Sequence, residues 1–342
     1  MNNSNQVEGN HFFLVLGPHR SGSSITTSIL KSLGAELGSK LQPASELYNP
    51  MGHFENKTVA DYNHSLLVRA GTDWKNPRPL SESLYFQDNR TKIEEEIDAL
   101  LFQLIQKEKV TALKEPRISI LLDLWKPALY RQVTDLRIVL TMRHPSEVAA
   151  SLARRDGMNQ ILGLQLWAQA TLNGIRFARE HPNHFLYFDK LISNPIENID
   201  ELANFMGIKN NSREVSEFKM NVKTELRHHR SLDGKSSALK ITTDMYEHIC
   251  RYNNATVENF PDELLNQWQK RLTETYKELN RNELLEADSG QRDALMQQLN
   301  EIFDSTIWKA TGPLRKFYTI LKKKNKRVFS FKLTRGIRIC FR

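Results

Sequence analysis

The stretch that decides the fold is FFLVLGPHRSGSS at residues 12–24, followed by ITTSILKSL at residues 25–33. An apolar run of strand character passes through a loop of glycine, serine and basic residues into a helical pattern. Gly17 and Gly22 have the GxxxxG spacing of a phosphate-binding loop, but Ser23 stands where a nucleoside triphosphatase places its lysine. The loop therefore suits an anion without matching a triphosphatase.

Strand-like and helix-like segments alternate beyond this loop. We predict strands at Phe12–Leu16, Val110–Lys114, Leu136–Met142 and His184–Phe188. We predict helices at Ser24–Leu33, Ile93–Lys109, Ile118–Tyr130, Ser146–Arg155, Ile196–Met206, Glu258–Leu279 and Gln291–Phe303. Strands separated by helices imply a parallel sheet with helices on both faces. The expected fold is therefore α/β, a P-loop-type parallel sheet flanked by helices, with a helical C-terminal extension and a basic tail.

The 342 residues are long for one domain and short for two. We expect a disordered N-terminus at 1–10, a nucleotide-binding domain at 11–240, a helical extension at 241–304 and a basic tail at 305–342. The longest apolar runs are far below the roughly 18 residues that a membrane-spanning helix requires. The first 25 residues show no secretory signal pattern. We therefore expect a soluble, cytoplasmic protein.

Charge is distributed unevenly along the chain. The net charge is +8, yet residues 305–342 hold 12 lysines and arginines and no acidic residue, which leaves a net charge of −4 elsewhere. The basic tail is interleaved with apolar residues such as Phe329 and Phe331, which suits peripheral contact with the anionic inner face of a membrane. A solvated tail, or a strand packing on the domain or on a following module, explains the same pattern. We expect no nucleic-acid partner.

The two cysteines, Cys250 and Cys340, are widely separated and fit no metal-ligand or disulfide framework. We therefore predict no metal site.

The third predicted strand ends in a cation. Its sequence LRIVLTM runs into Arg143, whereas kinases and triphosphatases usually end a neighbouring strand in an Asp that helps to hold Mg²⁺. A cation suits a second phosphate instead of a metal. Ser151 follows eight residues later, in a predicted helix, where its hydroxyl can face the same anion. We predict a nucleotide site with two separate phosphate positions and no obligatory metal.

These motifs resemble those of sulfotransferases that use 3′-phosphoadenosine 5′-phosphosulfate (PAPS). PHRSGSS is similar to their 5′-phosphosulfate loop, and RHPSEVAAS, which contains Arg143 and Ser151, is similar to their 3′-phosphate motif. The resemblance spans about residues 11–235. Four further blocks are similar to bacterial sulfotransferases: NPMGHFEN at 49–56, LKEPRISILLDLW at 113–125, LQLWAQAT at 164–171 and FDKLISNPIENIDELANFMGI at 188–208.

The resemblance implies transfer of a sulfuryl group from PAPS to an acceptor hydroxyl or amine of a carbohydrate, lipid-linked saccharide or small metabolite. It assigns Arg20 to the phosphosulfate bridge, and Arg143 and Ser151 to the 3′-phosphate. The 5′-phosphate is held by the residues Ser21, Gly22, Ser23 and Ser24. A sulfuryl group in transfer carries less negative charge than a phosphoryl group, so cationic side chains and backbone donors can stabilise it without Mg²⁺.

The general base has two candidates in MGHFEN. An attacking hydroxyl must lose its proton to a carboxylate or imidazole within hydrogen-bond reach. Glu55 matches a Glu in the corresponding block of sugar sulfotransferases. His53 and residues outside this block remain alternative candidates for the base. Lys114, at a predicted strand end, is expected to stabilise the sulfuryl group, with Glu115 and Arg117 orienting it or the acceptor. A surface ion-pair cluster is the alternative for these three residues.

Three weaker features remain. Arg227 and Arg230 in LRHHRS occupy the place where family members bring basic residues over the 3′-phosphate, although a solvated basic loop explains them nearly as well. Trp167 lies in an apolar helical pattern and is expected in the core. Trp74 is a candidate to stack on adenine or a sugar.

Two other function classes compete with sulfate transfer. A metal-dependent P-loop kinase would need a lysine after Gly22 and an acidic strand end, and the sequence has neither. A catalytically inactive nucleotide- or carbohydrate-binding module would keep the same loop, and the sequence is compatible with it.

Overall fold

A computed structural model describes residues 11–44, 52–76, 83–105, 109–208, 237–251, 260–275 and 277. The strands are β1 (His11–Leu16), β2 (Thr111–Lys114), β3 (Asp135–Met142) and β4 (Asn183–Tyr187). The helices are α1 (Ser23–Ser32), α2 (Lys57–Arg69), α3 (Leu84–Asp88), α4 (Arg90–Leu104), α5 (Ile118–Gln132), α6 (Pro145–Asp156), α7 (Gln160–Ala178), α8 (Phe188–Ser193), α9 (Pro195–Phe205), α10 (Ser237–Arg251) and α11 (262–275).

Some predictions concern residues outside the described part of the chain. They are the disordered N-terminus, the helix at Gln291–Phe303, the cations Arg227 and Arg230, and the basic tail at 305–342.

The four strands form one parallel sheet in the order β2-β1-β3-β4. This confirms the predicted α/β class, and each predicted strand lies within one residue of its observed bounds. In a parallel sheet all carboxyl ends reach the same edge, so the loops that follow the strands are brought together. Strand β1 lies between β2 and β3, which places its loop at the centre of that edge.

Strand β1 shows why the sheet is covered on both faces. Phe12, Leu14 and Leu16 belong to one hydrophobic cluster, and Phe13 and Val15 belong to a second cluster on the opposite face. Successive side chains of a strand point to opposite faces, so an unbroken apolar run is the pattern of a strand buried on both sides. Helices therefore pack on both faces of the sheet.

Helix α2 was not predicted from the apolar pattern. Its sequence KTVADYNHSLLVR mixes polar and apolar residues, but the Asn56 side chain caps it by accepting hydrogen bonds from the backbone N–H groups of Thr58 and Val59. The N-cap residue Asn56 was the feature of the sequence that could have predicted the start of this helix. The predicted helix at Ile93–Lys109 ends instead at Leu104, because Ile105 adopts an extended backbone.

The helices after residue 236 contribute to the larger hydrophobic cluster. Met245 and Ile249 of α10 and Trp268 of α11 are buried in the cluster that also holds Trp167 of α7. The Tyr187 hydroxyl at the end of β4 donates a hydrogen bond of 3.2 Å to the Ile249 carbonyl. None of the described helices is both long and apolar enough to cross a membrane.

Candidate active site

The candidate site lies at the edge where β1, β2 and β3 end. The glycine-rich loop from Gly17 to Gly22 follows β1, Lys114 ends β2, and Arg143 follows β3. The Ser119 hydroxyl joins two of these segments, since it accepts a hydrogen bond of 3.0 Å from the Gly17 N–H. The topology thus brings together predicted site residues that are far apart in the sequence, such as Arg20 and Arg143, which 123 positions separate.

The loop needs glycine at two positions. Gly17 has φ +141°, and a Cβ there would lie 2.4 Å from Thr141 Oγ1. Gly22 has φ +97°, and its Cβ would lie 2.7 Å from a ring carbon of Phe188. Both positions combine a left-handed backbone with a close neighbour, which excludes a side chain. Arg20 between them has φ +67°, a conformation that non-glycine residues rarely adopt and that is often found at functional sites.

The loop leads directly into helix α1, whose N-cap is Gly22. The first N–H groups of a helix lack partners within the helix and carry its positive dipole end, so this position favours an anion. Ser23 is buried in the first turn, and the Ser24 hydroxyl lies 3.3 Å from Lys114 Nζ. The first turn of α1 carries no acidic residue that would repel an anion.

Ser21 is oriented differently from the other predicted phosphate ligands. Its hydroxyl donates a hydrogen bond of 2.7 Å to the Pro18 carbonyl and lies 2.6 Å from Thr141 Oγ1. The Ser21 side chain is therefore turned into the protein, where it supports the loop.

Arg143 is the predicted cation of the second phosphate position, and one of its donors lacks a partner among the described residues. Its Nε donates to Glu147 at 2.9 Å, its Nη1 donates to the Arg20 carbonyl at 3.3 Å, and its guanidinium lies 4.4 Å from the centre of the Phe188 ring. Its Nη2 is buried and has no hydrogen-bond partner among the described residues. A buried donor without a partner is costly, so an acceptor such as a phosphate oxygen would satisfy it. Ser151 lies beside the same group of residues, because its hydroxyl accepts a hydrogen bond of 2.9 Å from Arg20 Nε.

Positive charges crowd around Arg20. Burial, followed by the charges of Arg155 and Arg143, lowers the pKa of Arg20 from its usual value, although Asp156 acts in the opposite direction. Cations held close together repel one another, and a bound anion relieves that repulsion. The site is thus electrostatically suited to a highly charged anionic ligand.

Lys114 and Glu55 form a buried ion pair. Lys114 Nζ lies 2.5 Å from Glu55 Oε1 and also donates to the His53 carbonyl at 3.2 Å. The Lys114 side chain is 3% exposed and that of Glu55 is 10% exposed. The two residues come from different segments and were predicted separately, as the sulfuryl-stabilising cation and as the general base. The fold brings them into direct contact.

Glu115 does not pair with Lys114. Its fully buried carboxylate accepts hydrogen bonds from Arg117 Nε at 2.7 Å and from Asn63 Nδ2 at 2.5 Å. Burial raises the pKa of Glu115, an effect that Arg117 opposes and the Glu55 charge reinforces. Glu115 thus pairs with Arg117, while Lys114 pairs with Glu55. Orientation of the sulfuryl group or the acceptor by Glu115 and Arg117 stays a prediction.

His53 lies next to this ion pair, and its hydrogen bonds to the described residues of the site run through its backbone carbonyl. Its carbonyl accepts hydrogen bonds from Lys114 and, at 3.4 Å, from the Ser24 hydroxyl. Burial lowers the pKa of His53, while the Glu55 charge opposes the change. Positive φ values at Gly52 (+99°) and Phe54 (+54°) shape this loop.

His19, Trp74 and Arg155 form an aromatic and cationic group beside the loop. The His19 and Trp74 rings lie 4.3 Å apart, and the Arg155 guanidinium lies 5.4 Å from the Trp74 ring centre. Burial lowers the pKa of His19 well below its ordinary value, and the nearby charges, led by Arg155, add to the shift. Sequence reasoning missed His19 and Arg155. The i, i+4 spacing of Ser151 and Arg155 on helix α6 was the signal that could have indicated Arg155.

The two tryptophans have different surroundings. Trp167 is fully buried, as expected for a core residue, and its Nε1 donates to the Arg143 carbonyl at 3.0 Å, which supports the loop after β3. Trp74 packs against His19 at the site and only partly enters the core. Within the described part of the chain, no group of three or more His, Cys, Asp or Glu residues could hold a metal ion.

No protein-family model matches the chain, and neither does any curated protein sequence. Among solved structures, it is similar to the sulfotransferase domain of the olefin synthase of Synechococcus PCC 7002, at 13% identity over 71% of this chain and 97% of that chain, with a TM-score of 0.41. It is also similar to the sulfotransferase STF9 of Mycobacterium avium, at 14% identity over 69% and 76% of the two chains, with a TM-score of 0.43.

A third similar structure is a retinol dehydratase in complex with androsterone and the inactive cofactor PAP, at 14% identity over 74% and 83% of the two chains, with a TM-score of 0.35. These likenesses are distant. The chain has an α/β fold in which a glycine-rich loop joins a central parallel strand to a helix, as in P-loop proteins, and it is similar to sulfotransferase structures.

Proposed function

We propose that this protein is a sulfotransferase that moves a sulfuryl group from PAPS to an acceptor hydroxyl or amine. The observation that carries the proposal is the contact between the two anion positions. Arg20 of the glycine-rich loop is bonded to both Ser151 and Arg143 of the predicted 3′-phosphate motif. PAPS has a phosphosulfate on its 5′ carbon and a separate phosphate on its 3′ carbon, so two adjoining anion positions fit it.

The residues present fit this nucleotide. The N–H groups at the start of α1, with Ser23 and Ser24, would hold the 5′-phosphate, while Ser21 supports the loop through its N–H and hydroxyl, which both donate to the Pro18 carbonyl. Arg143 Nη2, which has no partner among the described residues, and the Ser151 hydroxyl would hold the 3′-phosphate. We propose that no metal ion is needed, because cations and backbone donors can stabilise the moderate charge of a sulfuryl group in transfer.

The proposed reaction is a direct transfer. The acceptor oxygen or nitrogen forms a bond to sulfur while the bond from sulfur to the bridging oxygen breaks, and the electron pair of the broken bond stays on the phosphate of adenosine 3′,5′-bisphosphate (PAP). Arg20 and the loop N–H groups stabilise this departing charge. Glu55 receives the proton of the acceptor, and Lys114 contacts the sulfuryl oxygens.

The Lys114–Glu55 ion pair supports these two roles. A base and a cation that act on the same transfer must lie within a few ångströms of each other, and the two atoms are 2.5 Å apart in a largely buried setting. His53 is the second candidate for the base, because it adjoins the same pair and burial lowers the pKa of its imidazole. The acceptor classes are a carbohydrate, a lipid-linked saccharide and a small metabolite.

The test has a binding part and a transfer part. Calorimetry should show that PAP binds the full chain, and incubation of labelled PAPS with a panel of cell extracts should yield sulfated products identifiable by mass spectrometry. PAP binding without transfer to any acceptor would indicate a nucleotide-binding module. Magnesium-dependent phosphate transfer from ATP would indicate a kinase, and failure to bind PAP would overturn the proposal.

A further inference from the structure

A chain of buried polar side chains leads from the hydrophobic core to Arg117. Trp125 Nε1 donates to Asn63 Oδ1 at 3.1 Å, and Asn63 Nδ2 donates to Glu115 Oε2 at 2.5 Å. The other carboxylate oxygen of Glu115 accepts from Arg117 Nε at 2.7 Å. Trp125, Asn63 and Glu115 are each 0% exposed. The fold therefore fixes the position of the Arg117 guanidinium through three residues that solvent does not reach.

Stability alone does not account for this arrangement. Burying a carboxylate carries a desolvation penalty that its ion pair at best offsets, and apolar residues of similar volume are often as stable or more stable. The raised pKa of Glu115 reflects that penalty. A fully satisfied buried network does, however, hold its members in one orientation. The arrangement is thus suited to positioning Arg117.

The far end of Arg117 is available to a ligand. Its Nε is bonded to Glu115, and its two terminal nitrogens make no hydrogen bond within the described residues. Its side chain is 12% exposed, so the guanidinium is neither solvated at the surface nor sealed in the core. Arg117 directly precedes helix α5, whose Ser119 is bonded to the start of the glycine-rich loop. The charge of Arg117 also acts on His19 of that loop, so the guanidinium lies near the loop.

The strand order indicates which part of the nucleotide reaches Arg117. The 3′-phosphate position follows β3, the phosphosulfate loop follows β1, and Lys114 and Arg117 follow β2, while the sheet order is β2-β1-β3. A nucleotide that lies across this edge with its phosphates in those two positions has its sulfuryl end directed toward β2. The charges of Arg155, Arg117, Lys114 and Arg20 all act on His19, so Arg117 and Lys114 lie near the loop that carries Arg20.

We infer that Arg117 is a third cation that binds the sulfuryl group of the donor, beside Arg20 and Lys114, and that Glu115 and Asn63 are positioning residues that act through it. This inference rests on the proposed sulfotransferase function. A guanidinium offers two parallel donors to the oxygens of a sulfuryl group, which a lysine in its place would not.

The test compares PAPS with PAP, which lacks only the sulfuryl group, by calorimetry on the full chain. Arg117→Ala should weaken PAPS binding about tenfold or more and leave PAP binding within about twofold, because a charge-assisted contact to the sulfuryl group is lost. Arg117→Lys should recover only part of the loss. Arg131→Ala, which removes an exposed arginine from the last turn of α5, is the control and should change neither affinity.

The positioning role needs a second comparison. Glu115→Gln should lower the PAPS-to-PAP affinity ratio, and the double variant with Arg117→Ala should be no worse than Arg117→Ala alone, since both changes act through one contact. Thermal melting shows whether Glu115→Gln is folded. If it is not, the affinities of Arg117→Ala alone decide whether Arg117 binds the sulfuryl group.

Three results would overturn the inference. An unchanged PAPS-to-PAP ratio in Arg117→Ala excludes a contact with the sulfuryl group. An equal loss for both nucleotides indicates a general structural role, and a raised acceptor KM with unchanged nucleotide affinities assigns Arg117 to the acceptor. If the unmodified chain binds neither PAPS nor PAP, the proposed function itself is wrong. If the unmodified chain binds both but Arg117→Ala does not change their affinity ratio, only the inference about Arg117 is wrong.

Discussion

Arg20 Nε donates a hydrogen bond of 2.9 Å to Ser151 Oγ, although 131 positions separate the two residues in the sequence. Arg20 belongs to the loop after β1, and Ser151 belongs to the helix after β3, the neighbouring strand. The two motifs are therefore parts of one site. Since Ser151 is bonded to the cation of the first motif, a ligand that occupies both positions can contact both groups at once.

Arg143→Ala and Ser151→Ala should each weaken nucleotide binding through the 3′-phosphate. Loss of a charge-assisted hydrogen bond commonly costs ~1.5–3 kcal/mol, or roughly tenfold to a hundredfold in affinity. Calorimetry with PAP and with adenosine 5′-phosphate separates this effect, because only PAP carries the 3′ group. Arg154→Ala, at an exposed position of α6, is the control. Equal binding of the two nucleotides by the unmodified protein would refute the assignment.

Glu55→Gln should lower kcat about a hundredfold to ten-thousandfold, the usual contribution of a general base, and leave PAP affinity nearly unchanged. Steady-state kinetics on an acceptor found in the extract screen measures the first effect, and calorimetry measures the second. His53→Gln is the companion variant. A large loss of kcat in His53→Gln with little loss in Glu55→Gln would make His53 the base.

Gly22→Ala should destabilise the protein by about 2 kcal/mol or more, because a left-handed backbone is strained for alanine and the new Cβ would lie 2.7 Å from Phe188. Gly34→Ala is a matched control, since Gly34 has a similar φ of +99° but nothing within 4 Å of its Cβ. Urea unfolding should show a smaller loss for Gly34→Ala. If both variants lose the same free energy of unfolding, the contact between the new Cβ and Phe188 does not destabilise the protein.

Sulfate transfer should persist in excess chelator. The site offers cations and hydroxyl groups to the donor, and the strand end at Arg143 carries no carboxylate for Mg²⁺. The measurement is the rate of transfer from labelled PAPS before and after treatment with EDTA. Loss of activity on chelation, with recovery on addition of Mg²⁺, would favour the kinase alternative.

Stability should fall in mild acid because of His184. Burial lowers the pKa of His184 to about 4, and its Nε2 is buried without a hydrogen-bond partner among the described residues. The unfolded chain binds a proton at this residue below pH ~6.5, whereas the folded chain does so only below about 4. The free energy of unfolding should therefore drop as the pH falls through this window, by about 2 kcal/mol at pH ~5.

Urea unfolding of the unmodified chain and of His184→Leu, at neutral pH and in mild acid, measures this contribution. The variant should lose less stability than the unmodified chain, because leucine takes up no proton and can pack against Phe205, on which the imidazole is stacked. The same loss in both proteins would assign the acid sensitivity to other groups.

The sequence by itself determined the sheet, the loop and the family resemblance. Apolar runs such as Phe12–Leu16 predict strands within one residue, because burial on both faces requires an unbroken apolar segment. The spacing of Gly17 and Gly22 predicts the loop, because both positions need a backbone that only glycine adopts without strain. Such signals are local and can be read from consecutive residues.

Only the tertiary structure decided how the polar side chains pair. Lys114 is next to Glu115 in the sequence, yet it pairs with Glu55, and Glu115 turns inward to Asn63 and Arg117. Successive residues at a strand end point in opposite directions, so their partners come from segments that packing brings near each face. The charged residues of the site can be predicted from the sequence, but the distances between them depend on that packing.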